Sequence, residues 1–185
     1  KKDKVSYVTA WRAEDAHCEL VLTPSTLLEM WKILTVLNKF NKIIIVQASN
    51  TSLTGGSTPN GKYDKDVVII NTLKLNKIYL INNATQALAF PGSTLHQLGK
   101  ALAPYNRVPH SEIGSSCIGA SVVGGICNSS GGALIKRGPA YTELSLFAKI
   151  DEKGRLKLVN KIGIDLGNSP EEILENFERK NFPEI

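Results

Sequence analysis

The chain has 185 residues, of which 42% are hydrophobic and 21% are charged. These fractions are typical of one globular domain, or of two small lobes that share a core, and they exclude an intrinsically disordered segment. The formal net charge is +5 and the Lys and Arg residues are scattered along the chain, which argues against a dedicated nucleic-acid binder.

The first part of the chain alternates strands with a helix. Residues 18–23, 42–48 and 66–72 are predicted strands, and the continuous β-branched run at 42–48 is typical of a strand covered on both faces. After Pro24-Ser25-Thr26, apolar residues at helical spacing predict a helix over residues 27–40. We expect Trp31 in this helix, and also Trp11, to pack in the core.

The second of these strands is followed by SNTSLTGGSTPNGKYDKD at residues 49–66, here called the first loop. It is longer than most structureless connections in compact domains, which favours a functional role.

The second half of the chain is richer in strands. Residues 77–83 and 86–92 are predicted strands with a turn at Asn82-Asn83, and residues 94–105 form an amphipathic helix that stops at Pro104. Residues 144–160 are typical of a hairpin that turns at 152–154. The last helix is predicted over 169–179, with Ser169 as its N-cap and Glu172 completing a capping box.

A second Gly- and Ser-rich stretch, SEIGSSCIGASVVGGICNSSGG at residues 111–132, is here called the second loop. No Asp or Glu occurs from Met30 to Tyr63 or from Ile113 to Thr142, so the glycines of each loop lie in an acid-free stretch. A bound phosphate is repelled by carboxylates and stabilised by converging backbone N–H groups. Two interpretations stay open at this point: a phosphate-binding cradle, and Gly-rich turns around an α/β core.

The common phosphate-binding motifs are absent from the sequence. Neither the P-loop pattern nor G-x-G-x-x-G after a strand occurs. Two glycine clusters that contain neither Lys nor an acid favour a diphosphate held by main-chain donors over a triphosphate with Mg²⁺. No metal site is predicted, and Cys117 and Cys127 are expected to pack beneath the second loop.

Residues 47–78 and 109–167, with the motifs GSTPNG, IGSSCIGAS and NSSGG, closely resemble the FAD-binding domain of bacterial respiratory, quinone-dependent D-lactate dehydrogenases. These are flavoproteins of the vanillyl-alcohol-oxidase type. The likeness extends from about Leu20 to Gly167. It implies an α+β, PCMH-type FAD-binding fold of two α/β lobes, a first lobe at about 14–74 and a second at about 75–185, with FAD between them.

The resemblance also implies which residues bind FAD. In the first part of the chain they lie mostly around the pyrophosphate, and in the second loop they follow the cofactor: Ala48, Ser49, Asn50, Thr51, Ser52, Gly55, Gly56 and Ser57, then Gly114, Ser121 and Gly131. Relatives often have an acid where Gly55 stands and Gly where Ser52 stands. We therefore expect Ser52 to adopt a backbone conformation that Gly finds easier.

In some relatives a His of the first loop bonds covalently to the flavin. The histidines here are His17, His96 and His110, none of them in that loop, so non-covalent FAD is expected. His17 and His96 are expected at the surface, and His110 is expected to fix a turn.

The resemblance implies oxidation of D-lactate to pyruvate, with electrons passed to quinone by a peripheral protein on the cytoplasmic side of the bacterial inner membrane. Substrate-binding and catalytic residues are implied to come from a downstream cap domain that we expect to lie outside this chain, so none is assigned here. One alternative is the FAD domain of a dehydrogenase for another D-2-hydroxy acid, such as glycolate or 2-hydroxyglutarate. An alternative of another class is a nucleotide-binding module without a redox role.

Overall fold

The structure is a computed structural model that describes residues 4–10, 16–133 and 135–183. The helices are α1 (Val5–Val8), α2 (Leu27–Lys39), α3 (Leu95–Leu102), α4 (Val122–Cys127) and α5 (Pro170–Arg179). The strands are β1 (Leu20–Leu22), β2 (Ile43–Gln47), β3 (Val67–Asn71), β4 (Ile78–Ile81), β5 (Gln86–Ala89), β6 (Leu146–Ile150) and β7 (Leu156–Asn160). Every predicted strand and helix is therefore present, whereas α1 and α4 were not predicted. Trp11 lies outside the described residues.

The first three strands form a parallel sheet in the order β1–β3–β2. The central strand β3 is buried along its whole length. Although β2 packs on both faces, it lies at the edge of the sheet, and Val46 is 49% exposed. Strand β2 is thus covered on both faces, as predicted, but most of its residues are only partly buried because it is an edge strand, whereas the central strand β3 is fully buried.

The two faces of this sheet have separate apolar clusters. On one face, Val67 and Ile69 pack with Cys18 and with Tyr7 and Val8 of α1. On the other face, Val68 and Ile70 pack with Leu37 and its neighbours on α2. Burial raises the pKa of the Cys18 thiol, which keeps this cysteine protonated and unreactive.

The other side of α2 packs against the second half of the chain. Trp31 is buried in a cluster with Phe90, Phe177 and residues from the antiparallel pairs β4–β5 and β6–β7. The rings of Phe90 and Phe177 stack with their centroids 5.1 Å apart. Glu178 of α5 reinforces the contact, because its carboxylate accepts the Leu27 N–H at the start of α2 (2.9 Å) and lies 3.6 Å from the Lys77 ammonium.

The helices begin at the predicted caps. Ser169 accepts the Glu172 N–H at 3.2 Å, and Thr94 forms a complete capping box with Gln97. The Glu172 carboxylate accepts the N–H of Asn168, one residue before the predicted position. The capping box at α5 therefore includes one more residue than the predicted one, because Glu172 bonds to the N–H of Asn168 instead of that of Ser169.

An ionic contact joins the amino ends of the three parallel strands. Lys42, just before β2, lies 2.9 Å from Glu19, which precedes β1, and also pairs with Asp66, which precedes β3. These hydrogen bonds, the one to Asp66 first, raise the pKa of the Lys42 ammonium. The first loop begins at the opposite, carboxyl edge of the sheet, where β2 ends.

The two halves of the chain meet where β3 ends. A Cβ built on Gly92 would lie 2.0 Å from the Thr72 carbonyl oxygen, so the two backbones touch. The Gly92 N–H donates to the Leu75 carbonyl at 2.7 Å, and Ser93 is completely buried. Only Gly fits at position 92, because any side chain would overlap the Thr72 carbonyl.

The β6–β7 hairpin turns at the predicted residues around a single carboxylate. Asp151 accepts the N–H groups of Arg155 and Lys153, both at 2.9 Å, and pairs with the side chains of Arg155 (2.9 Å) and Lys157 (3.0 Å). These contacts, the Arg155 N–H first, hold the pKa of Asp151 well below its usual range.

The Asp151→Asn variant is expected to melt at a lower temperature than the parent chain at pH 7. A carboxylate with a lowered pKa stabilises the fold above the ordinary pKa of about 4, and that contribution disappears as the pH falls towards the lowered value. The difference in Tm, measured by thermal unfolding from pH 7 to pH 3, should shrink at acid pH. Glu152→Gln is the control, because Glu152 has no hydrogen-bonding or ionic partner among the described residues, and an equal effect of this control would contradict the prediction.

Gly92→Ala is expected to lower the free energy of unfolding by about 1–3 kcal/mol or more, because the added methyl group overlaps a backbone carbonyl that cannot rotate away. Urea unfolding measures the change. Gly61→Ala is the matched control, since a Cβ at Gly61 meets nothing within 4 Å. Equal stability of the two variants would contradict the close approach.

Candidate cofactor site

The two loops meet at the carboxyl edge of the parallel sheet. The first loop leaves β2 directly after Ala48, whose carbonyl accepts the Asn71 side-chain amide at 3.0 Å. The Ser49 hydroxyl donates to the carbonyl of Gly119 in the second loop. Ligands of α/β sheets characteristically bind at this edge.

The second loop is fixed to the start of α3. The Leu95 N–H donates to the Ala120 carbonyl at 2.9 Å, and the Val122 N–H donates to the Ser93 carbonyl at 2.8 Å. Its far end is fixed by a bridge between Glu112 and Gly132. Gly132 has φ +60°, and a Cβ there would lie 1.9 Å from the Glu112 carbonyl oxygen, so a side chain is excluded.

Most of the predicted polar side chains are occupied within the protein. The Ser57 hydroxyl donates to Asn50 Oδ1 at 2.8 Å, Ser52 is hydrogen-bonded to Thr54, and buried Ser121 accepts the Gly124 N–H at 3.0 Å as the N-cap of α4. The Thr51 hydroxyl makes no hydrogen bond to the described residues. These side chains shape the loops rather than point at a ligand.

The backbone N–H groups of the same positions are free to bind a ligand. Within the described part of the chain, none of the N–H groups from Ser49 to Leu53 or from Gly55 to Ser57 donates to a protein acceptor, and the same is true of Gly114, Ser121 and Gly131. Gly56 and Gly114 are exposed, and a Cβ on either would meet nothing closer than 3.8 Å. Such unbonded N–H groups beside open space are the donors that a bound diphosphate requires.

The charge distribution also fits a bound diphosphate. Residues 67–142, which include the second loop, contain six Lys or Arg and one acid, Glu112. This excess of five positive charges equals the formal net charge of the whole chain. It favours an anionic ligand over a cationic one.

A cleft of about 460 Å³ lies at the opposite, amino edge of the sheet. Its lining includes Glu19, Asp64 and Asp66. These carboxylates disfavour a phosphate, so the size of this cleft does not make it the better cofactor site.

Three expectations about the site need correction. Ser52 is outside the left-handed region, which in this loop is occupied by Asn50 (φ 55°) and Gly55 (φ 76°). Cys117 and Cys127 are exposed and do not pack beneath the second loop, because the 3-10 turn at Gly114–Ile118 and helix α4 leave their side chains at the surface. His110 is exposed and its side chain makes no hydrogen bond to the described residues, so it does not fix a turn. His17 and His96 are exposed, as predicted.

Sequence reasoning missed the buried polar residues that support the loops. Gln47, Thr72 and Ser93 are each at most 1% exposed and are hydrogen-bonded. The only signal was a polar residue at the end of an apolar strand. Among the described residues, every helix is too short or too polar to span a bilayer, and no cluster of His, Cys, Asp and Glu is suited to a metal.

The sequence has close curated relatives. It is 55% identical over 178 residues to the quinone-dependent D-lactate dehydrogenase of Haemophilus influenzae, a match that covers 96% of this chain and 32% of the relative. The corresponding enzyme of Escherichia coli is 56% identical over 173 residues, which cover 93% of this chain and 30% of the relative. The chain therefore spans about a third of the length of these relatives.

The fold also has solved counterparts. A glycopeptide hexose oxidase superposes with a TM-score of 0.65 at 18% identity, over 84% of this chain and 31% of the oxidase. This similarity confirms the α+β, PCMH-type fold. Residues 18–155 match the sequence profile of the FAD binding domain. Three quarters of the chain lies inside that match, and its two glycine clusters, each in an acid-free stretch, come together with unbonded backbone N–H groups at one edge of the sheet. The chain therefore belongs to the FAD-binding domain family.

Proposed function

We propose that this chain is the FAD-binding portion of a quinone-dependent D-lactate dehydrogenase, which oxidises D-lactate to pyruvate and passes the electrons to quinone. The observation that carries the proposal is the identity of 55–56% to two such enzymes over at least 93% of this chain. Both cofactor loops lie within the matched residues. Their geometry supports a dinucleotide held through its diphosphate.

In this function, FAD supplies the acceptor for the hydride of the substrate. The N–H groups of Ser49–Leu53 and Gly55–Ser57 would hold the pyrophosphate, and those of Gly114, Ser121 and Gly131 would bind other parts of the cofactor. The side chains of Asn50, Ser52 and Ser57 hold the first loop in shape. Because these donors are fixed before binding, little ordering of the loop opposes association.

We infer that FAD is bound without a covalent link, because the first loop contains no His. The cofactor lies between two lobes, about 14–74 and 75–185, which meet at Thr72 and Gly92. The residues that bind lactate and remove its proton belong to the part of the relatives outside the third that this chain spans. The protein acts peripherally on the cytoplasmic side of the bacterial inner membrane, where quinone is available.

Two alternative functions are compatible with the same pair of loops. A dehydrogenase for glycolate or 2-hydroxyglutarate would bind FAD identically and differ in the substrate domain. A nucleotide-binding module without redox chemistry is supported only by the loop geometry, whereas the identity to redox enzymes favours the dehydrogenase.

Gly56→Val is expected to weaken FAD binding at least tenfold while secondary structure is kept. The valine side chain fills the open space beside the unbonded N–H groups, and its Cβ meets only Thr54 Oγ1, at an ordinary van der Waals distance of 3.8 Å. Titration of flavin fluorescence measures Kd, and far-UV circular dichroism monitors the fold. Gly61→Val lies in the same loop with open space around its Cβ and should bind FAD like the parent chain; equal affinities of all three proteins would refute this cofactor site.

The isolated chain is expected to bind FAD that acid precipitation releases, and to reduce no artificial electron acceptor with D-lactate. Absorbance of the flavin in the supernatant tests the first point, and an assay with a soluble dye tests the second. Flavin retained in the pellet would contradict non-covalent binding. Turnover of D-lactate would contradict the placement of the substrate residues outside this chain.

A further inference from the structure

One buried amide connects three separate segments of the protein. Gln47, the last residue of β2, is 1% exposed. Its side-chain Nε2 donates to the carbonyl of Tyr7 at 2.8 Å and to the carbonyl of Ser57 at 2.7 Å, so both amide hydrogens are used. Its Oε1 accepts the Asn71 side-chain amide at 3.4 Å. The N-terminal segment (residues 4–10), the first loop and β3 therefore share a single anchor.

A second contact joins the N-terminal segment to the first loop. Asn50 Nδ2 donates to the Thr9 carbonyl at 2.8 Å, and its Oδ1 accepts the hydroxyl of Ser57. Asn50 and Gln47 thus each hydrogen-bond both to Ser57 in the first loop and to a carbonyl of the N-terminal segment. The loop is therefore held at Asn50 and again seven residues later at Ser57.

The N-terminal segment is itself firmly attached to the sheet. Tyr7 and Val8 pack on the face formed by Cys18, Val67 and Ile69. The Lys4 ammonium donates to the carbonyls of Cys18 and Glu19. The segment can therefore transmit the position of the sheet to the loop.

The first loop has few backbone hydrogen bonds of its own. From Ser49 to Ser57 its N–H groups make no backbone bond within the described chain, and the first one is donated by Thr58 to Gly55. A loop with so little internal support owes its shape to the side chains that hold it. Preorganised donors bind an anion without the cost of ordering them.

We propose that the N-terminal segment, acting through Gln47 and Asn50, holds the first loop in the conformation that binds FAD, and that Gln47 is a positioning residue of this site. The proposal rests on the assignment of FAD to the two loops. It adds a region of the chain, residues 4–10, that has no predicted contact with the cofactor.

A merely structural network and a positioning network differ in one respect. If the N-terminal segment favours the binding-competent loop, FAD must in return stabilise the segment, because coupling between two sites is reciprocal. FAD is therefore expected to slow hydrogen exchange of the N–H of Thr9, which donates to the Val5 carbonyl at 2.9 Å. Unchanged exchange in the parent chain at saturating FAD would overturn the proposal.

Gln47→Glu is the main test, because it keeps the shape and removes the donors. An ionised carboxylate would face the carbonyls of Tyr7 and Ser57 without a hydrogen, whereas the protonated acid recovers one donor. No charged side chain of the described residues hydrogen-bonds to this position. Relative to the parent chain at the same pH, Kd for FAD should rise at least tenfold at pH 9, and the deficit should shrink towards pH 6.

Leu37→Ala is the matched control for lost stability. Leu37 of α2 is buried against the sheet, and none of the residues in its apolar cluster belongs to the first loop. It should lower Tm and leave Kd for FAD within twofold of the parent value. A Gln47→Glu deficit that is absent, or that is independent of pH, would overturn the positioning role.

Asn50→Gly keeps the proposal testable if Gln47→Glu does not fold. Glycine accepts the positive φ of Asn50 and removes the links to Thr9 and Ser57. FAD affinity should fall about five- to tenfold, and the protection of Thr9 by FAD should be lost. Parent-like affinity in this variant, together with lost binding in Gly56→Val, would overturn the positioning role and leave the FAD site intact; failure of the parent chain to bind FAD would refute the site itself.

Discussion

The backbone contact between Gly92 and Thr72 determines where the two loops stand relative to each other. Thr72 follows β3 and hydrogen-bonds through its N–H to Gln47 at the end of β2. From Gly92 the chain continues into the residues that pair with Ala120 and Val122, and Ser49 then connects to Gly119. The contacts form a closed ring around the carboxyl edge of the sheet. A displacement at any member of the ring would separate the loops.

The elements were predictable because their signals are local. The spacing that placed Trp31 in a helix and the Ser169 cap are properties of neighbouring residues. The sheet order was not predictable, since the β-branched run at 42–48 reads like a central strand and only tertiary structure places β3 between β1 and β2. Helix α4 was hidden by Gly124 and Gly125, which disfavour a helix that the Ser121 cap and its neighbours nevertheless support.

The site was predictable at the level of chemistry more than of individual atoms. The lack of acids and the excess of glycine indicated an anion cradle, and the free N–H groups lie at the indicated positions. The roles of the side chains were less accessible. Asn50 and Ser57 were expected to face a ligand, but they bond to each other because a loop without backbone hydrogen bonds needs side chains to fix it. Gln47 gave only the weak signal of a polar residue that ends an apolar strand, because its partners Tyr7, Ser57 and Asn71 are distant in sequence.

The order of strands in the parallel sheet has a consequence for synthesis of the protein. Strand β3 is the central strand but the last of the three in the sequence, and it is separated from β1 by more than forty residues. While β1, α2 and β2 leave the ribosome, neither edge strand has its hydrogen-bonding partner, and the apolar face of α2 has no sheet to cover it. Loop-closure entropy must be overcome before such distant pairing is rewarded. The nascent chain therefore exposes β-branched sequence until residue 71 emerges, and unpaired apolar strands of this kind are prone to aggregation.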